Sequence, residues 1–210
     1  MESGWKQKRN RSEQEFSRRA GNRPQRQLFL IVCEDSKSTP NYLKELRIHL
    51  RMSTAEVEVC GKECGSAPIN VIDYAIQRRE ERRLAKNPAD HVWCVVDVDT
   101  HTTLDPALDK ARPHKLKVAV SSPCLELWYL IHFVPGDRHY KTFDQLKPDL
   151  KKHLPGYNKG KSSPFATLWP LVGQAIKNAR RLCSLRDQDP ARQSYTQLHL
   201  LIEELQGNVG

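Results

Sequence analysis

The chain has no apolar run near the roughly 18 residues that a membrane-spanning helix requires, so no such helix is expected in its 210 residues. Its N-terminus is rich in arginine but lacks the apolar stretch that follows the basic residues of a secretory signal. Cysteine is present without a framework. Of the six, Cys33 and Cys94 fall inside apolar, strand-like runs, and the others lack the spacing of a disulfide scaffold. Cys60 and Cys64 form a lone C-x3-C with no second pair, short of a four-ligand zinc site. A P-loop is missing too: in Gly156-Tyr157-Asn158-Lys159-Gly160-Lys161-Ser162 three residues separate the glycines where a Walker sequence has four, and no apolar strand precedes it. These absences lead to an expectation of free thiols in the cytoplasm, no membrane contact, and no nucleotide hydrolysis by a P-loop.

What is abundant is positive charge. The formal net charge is +9 and the isoelectric point is near 9.3, which favours an anionic partner, nucleic acid before others. Residues 1–27 hold eight Lys or Arg against three Glu, a balance of +5. Such a segment buries too little apolar surface to offset ordering entropy, so it is expected to be disordered. It is either a phosphate-binding arm or a solvated tail.

From residue 28 the pattern alternates. A strand over 28–33 is followed by a helix over 39–51, with Thr39 and Pro40 as N-cap and first helical residue. A strand over 55–60 leads to a charged helix over 69–86, whose Ile69, Ile72, Ala75 and Ile76 have helical spacing. Strands over 91–96 and 117–120 follow. This order predicts an α/β fold with a partly parallel sheet flanked by helices. A helix over 123–133 is expected next, opened by Ser122 and Pro123. Residues 134–162 read as a long surface excursion, and helices over 163–185 and 194–206 form a helical C-terminal extension. The expected division is a basic arm over 1–27, an α/β core over 28–133 and a loop-rich, helical part over 134–210.

The sharpest chemical signal is Trp93-Cys94-Val95-Val96-Asp97-Val98-Asp99. Alternation along a strand points Asp97 and Asp99 the same way, at the strand's C-terminal end, where open α/β sheets bind ligands. The strand over 28–33 ends in Glu34, and if the two strands are neighbours the three carboxylates converge. An all-oxygen set of this kind suits Mg²⁺ or Mn²⁺. Glu126 lies in an apolar helix, where an unpaired carboxylate would cost several kcal/mol. It is paired with an Arg, lies on an exposed face of the helix, or is a ligand of the metal or of its bound water near Asp97. Ser121, at the end of the fourth strand, and His132 are secondary candidates. Lys37, just after Glu34, is placed to grip a phosphate; Lys159 and Lys161 are phosphate contacts or part of a solvated loop.

An acid after the first strand with D-x-D two strands later is the arrangement of the TOPRIM domain. Three blocks sharpen that likeness: 34–42, beginning Glu34-Asp35-Ser36-Lys37; 96–101, around Asp97-Val98-Asp99; and 121–133, with Pro123-Cys124-Leu125-Glu126-Leu127-Trp128 at its centre. Together with Gly156-Tyr157-Asn158-Lys159-Gly160 and Ser194-Tyr195-Thr196, they resemble the RloB family, TOPRIM-like proteins of bacterial restriction and phage-defence loci. The resemblance implies metal-dependent phosphodiester cleavage, with Glu34 as acid/base or metal ligand and Asp97 and Asp99 on the metal. It also implies a partner ATPase of the AAA or ABC type. The chain departs from the family where Asp35 to Thr39 replace a usual Gly-Glu-Lys-Thr-Glu, and at Thr100, where many members have Asp.

Overall fold

The computed structural model describes residues 27–34, 37–60, 67–98, 104–161, 163–189 and 194–208. The basic segment before Gln27 lies outside them, as do Asp99 and Cys64. The elements are β1 (Phe29–Cys33), α1 (Ser38–His49), β2 (Ala55–Val59), α2 (Pro68–Leu84), β3 (His91–Asp97), α3 (Leu104–Ala111) and β4 (Lys117–Ser122). There follow α4 (Glu126–Leu130), α5 (Phe143–His153), α6 (Phe165–Leu168), a 3-10 turn (Trp169–Leu171), α7 (Val172–Gln188), β5 (Tyr195–Thr196) and α8 (Leu198–Gly207). No helix among the described residues is long and apolar enough to cross a membrane.

Five strands form one sheet in the order β2-β1-β3-β4-β5. The first four are parallel and β5 is antiparallel to β4. Strand β1 reads FLIVC with every residue buried, as a strand covered on both faces requires. In register, Cys33 lies opposite Val95 of β3 and Val59 of β2. Because β1 leads outward to β2 on one side while β3 and β4 extend the sheet on the other, the order reverses between β1 and β3. That crevice is the topological switch point at which open sheets bind ligands.

Helix α2 turns Pro68, Val71, Ile72 and Ala75 inward and meets water with charges. Arg78 pairs with Glu58 at 2.6 Å and Arg83 with Glu80 at 2.6 Å.

The later chain differs from expectation at several points. Helix α1 starts at Ser38, with Lys37 at the cap position, so Thr39 and Pro40 lie inside its first turn. Strand β4 runs through Ser122, leaving Pro123 in a turn and shortening the expected 123–133 helix to α4, five residues that are all buried. Residues 134–162 are not merely an excursion, because they contain α5. Thr142 caps that helix by accepting from Gln145 N at 3.4 Å, the Gln145 side chain accepts from Lys141 N at 2.8 Å, and Leu146 and Leu150 are buried. The expected 163–185 helix is interrupted by the 3-10 turn, where Pro170 cannot donate. Ser194 to Thr196 do not open α8: Tyr195 and Thr196 form β5, which pairs with β4. Helix α3 has no counterpart among the expected elements.

Candidate functional site

The ends of the two central strands meet. Glu34 follows β1 and its N–H donates to Val95 O at 3.3 Å, while its carboxylate Oε2 accepts from Asp97 N at 3.3 Å. Asp97 closes β3. The residue is half-buried, yet its Oδ1 is shut off from water and lacks a hydrogen-bond partner. Burial and the nearby charges of Glu126 and Glu34 push the Asp97 carboxyl well above the usual range, against the opposing pull of Lys159 and a backbone bond from Leu125. The structure therefore brings Glu34, Asp97 and Glu126 to one edge of the sheet. Asp99 lies outside the described residues.

Glu126 opens α4 and is fully buried. A carboxylate there demands donors, and the loop after α5 supplies them: Tyr157 Oη donates to Oε1 at 2.7 Å and Lys159 Nζ approaches Oε2 at 3.5 Å. Tyr157 also stacks edge-on against Tyr129, with centroids 5.7 Å apart, so the loop is seated on α4 by apolar contact as well as charge. Burial works to lower the Lys159 pKa, but Glu126, Cys124 and Asp97 together raise it. Lys159 is thus a cation held against an acidic site. Lys37 packs under the same loop: a Cβ added at Gly160, whose φ is +78°, would come within 2.7 Å of the Lys37 Cδ. Lys161 is exposed, and its backbone N–H closes a turn onto Asn158 O at 3.0 Å.

The two secondary candidates are occupied with structure. Ser121 sits opposite Asp97 in the strand register, but its hydroxyl is buried against Thr196 Oγ1 at 2.8 Å, tying β4 to β5. His132 is buried, donates from Nδ1 to Trp128 O at 2.8 Å and lies edge-on to the Trp128 ring. Burial pulls its pKa down to about 4, against backbone hydrogen bonds that raise it. The unfolded chain takes up this proton near pH 6.5, and the fold resists it until about 4. The His132 contribution to stability is therefore complete above that unfolded value and lost as pH falls through the interval, with a limit on the order of 3 kcal/mol. Urea unfolding at about pH 7 and about pH 4.5 should show a smaller acid loss for His132→Gln than for the parent; equal losses would assign the acid sensitivity elsewhere.

Sequence reasoning passed over Tyr157 as a site residue. The available signal was chemical: a carboxylate in an apolar helix needs donors, and this loop offers a phenol and an ammonium side by side.

No curated protein and no solved structure shows a significant match to this chain. A family model described as RloB-like protein matches residues 29–205, the span from the first residue of β1 into α8 that contains every feature of this site, and the chain belongs to that family.

Proposed function

We propose that this protein is a metal-dependent nuclease of bacterial phage defence, hydrolysing phosphodiester bonds of DNA or RNA under the control of a partner ATPase. The observation that carries the reading is the crowding of Glu34, Asp97 and Glu126 at the switch point, with Asp97 Oδ1 buried without a hydrogen-bond partner and Glu126 Oε2 met by the Lys159 ammonium at 3.5 Å. Such oxygens fit a hard divalent cation, Mg²⁺ or Mn²⁺. Among the described residues no group of three or more His, Cys, Asp or Glu side chains is placed to hold a metal ion; the proposed ligand set is Glu34, Asp97 and Glu126 with Asp99, which the sequence puts two residues beyond Asp97. When bound, the ion would neutralise charge on phosphate oxygens and lower the pKa of a water molecule.

The chain's own residues have separable parts in this reading. Leu125 N–H steadies the Asp97 carboxylate. Tyr157 holds Glu126 by Oε1 and so fixes the direction of Oε2. Lys37 and Lys159 draw the scissile phosphate toward the acids, Lys161 adds charge at the loop's rim, and Glu34 would exchange a proton with the attacking water.

One observation favours a second reading, a non-catalytic nucleic-acid-binding or regulatory subunit: the Lys159 ammonium already supplies positive charge to Glu126. The two readings separate when purified protein is incubated with labelled plasmid, single-stranded DNA and total RNA in Mg²⁺, Mn²⁺ or EDTA, with and without the partner ATPase. Metal-dependent cleavage supports the nuclease; binding without cleavage in every condition supports the subunit.

The charge balance makes a further expectation. Removing residues 1–26 takes away a +5 segment while keeping Gln27, whose side chain accepts from His91 Nε2 at 2.7 Å. Affinity for single-stranded DNA should fall about tenfold or more at low salt, with a shallower salt dependence and an unchanged circular dichroism spectrum. Unaltered affinity would make the segment a passive tail.

A further inference from the structure

Beside the acidic site, α5 and the 156–161 loop enclose a cleft of about 210 Å³. Its polar lining is basic: Lys147 and Lys151 project from one face of α5, and Lys159 and Asn158 come from the loop. Phe143 forms part of the wall, with Lys159 Nζ 4.7 Å and Lys147 Nζ 6.0 Å from its ring centroid. Tyr157 lines the same cleft and donates to Glu126, so the cleft and the acids share a wall.

The distribution of counter-charges on α5 sets this face apart. Lys152 and Arg138 are both neutralised by Asp149, at 2.7 and 2.9 Å. Lys147 and Lys151 have no ion pair among the described residues. They stand four apart, where like charges on a helix repel, and Lys159 adds a third cation across the gap. A cleft with three ammonium groups, two of them without an acidic partner, is completed by an anion from outside.

We propose that this cleft is the phosphate-binding track that delivers a single nucleic-acid strand to the acidic site, gripped by Lys147, Lys151 and Lys159. The proposal rests on the nuclease reading and extends it to two lysines that the site itself does not contain. Size decides what enters. Pockets for drug-sized ligands begin near 300 Å³, so this one takes a backbone phosphate with part of its sugar while the bases remain outside. Contacts of that kind position a strand and carry no sequence information. Phe143, with lysines over its ring, serves as a platform for the ammonium groups by cation–π attraction, leaving the phosphate and not a base as the group received.

The test measures binding of the full chain to a fluorescent single-stranded oligonucleotide in EDTA, across a salt series. Each phosphate contact on a single strand contributes about 0.7 to the slope of log K against log salt, so K147Q/K151Q should be shallower than the parent by about 1.4. With equal affinities at about 1 M salt, that difference becomes about 25-fold at 0.1 M. K147R/K151R should keep the parental slope, and Lys152→Gln, whose partner is Asp149, should change it far less than the double variant. Equal slopes for the parent and K147Q/K151Q, with an unchanged circular dichroism spectrum, would overturn the track and leave the nuclease reading standing. A parent chain that binds no strand at low salt would overturn both. Because EDTA removes metal, loss of cleavage alone cannot imitate either result.

Discussion

Asp97→Asn is expected to abolish the proposed cleavage and to make the protein more stable. Asparagine keeps the shape of the side chain and removes the charge that would hold a cation, so turnover should fall roughly 100-fold or more, the scale on which a single charge-stabilising group matters. Strand binding should survive, because Lys37 and Lys159 do not depend on that carboxylate's charge. Stability moves the other way. Burial and the charges of Glu126 and Glu34 hold the Asp97 carboxyl well above its ordinary range, so the folded state disfavours its ionised form. With a raised folded pKa, its stabilising contribution is complete below the unfolded value and lost as pH rises through the folded one. Asparagine should therefore stabilise the fold near neutral pH in EDTA, read as a raised Tm, and the gain should vanish in acid. Loss of cleavage together with a lowered Tm at neutral pH would mean that the variant damages the fold instead of the chemistry.

Trp128→Ala should cost about 3–5 kcal/mol, a large share of the 5–15 kcal/mol that typically separates folded from unfolded chains. Trp128 is completely buried in α4 and lies edge-on to His132, with ring centroids 4.9 Å apart. The turn that follows is pinned by Asn178 Nδ2, which donates to Ile131 O at 2.8 Å and Val134 O at 3.2 Å. With those carbonyls anchored, the backbone cannot collapse into the space an alanine leaves, and this places the cost toward the upper end. Urea titration followed by circular dichroism measures it. Trp128→Phe, which retains an aromatic ring, should lose much less, and equal losses would show that volume is not what this position supplies.

The strands that build the site were legible because their signal is local. Phe29 to Cys33 is apolar throughout, and the Trp93–Asp97 run ends in acid, so both the central pair and the meeting of Glu34 with Asp97 follow from burial and alternation. Glu126 was also readable, since an acid among Leu125, Leu127 and Trp128 contradicts its surroundings. Helix α5 was obscured by Pro148 and its lysines, although Thr142 and Gln145 have capping spacing and Leu146 and Leu150 lie one turn apart. Strand β5 had no local signal: two residues show no periodicity, and Tyr195 and Thr196 become a strand only because β4 is there to pair with them. The donors to Glu126 were hidden for the same reason, since a contact across 31 residues belongs to the fold and not to any window of sequence.

The position of β5 governs how this molecule can be made. Strand β4 is synthesised with one edge bare, and the residues that cover it, Tyr195 and Thr196, lie more than seventy positions later. At roughly 5–20 residues per second, a ribosome needs several seconds to cross that interval. Throughout it the nascent sheet offers an open edge beside the strand that carries Asp97, a template for pairing with other chains. Helix α8 follows β5 and fastens the closure, its Glu204 reaching Lys117 on β4 at 2.6 Å. Expression yield should thus depend on β5 and α8 far more than their distance in sequence from the acids suggests, and a truncation that removes them acts on assembly of the sheet.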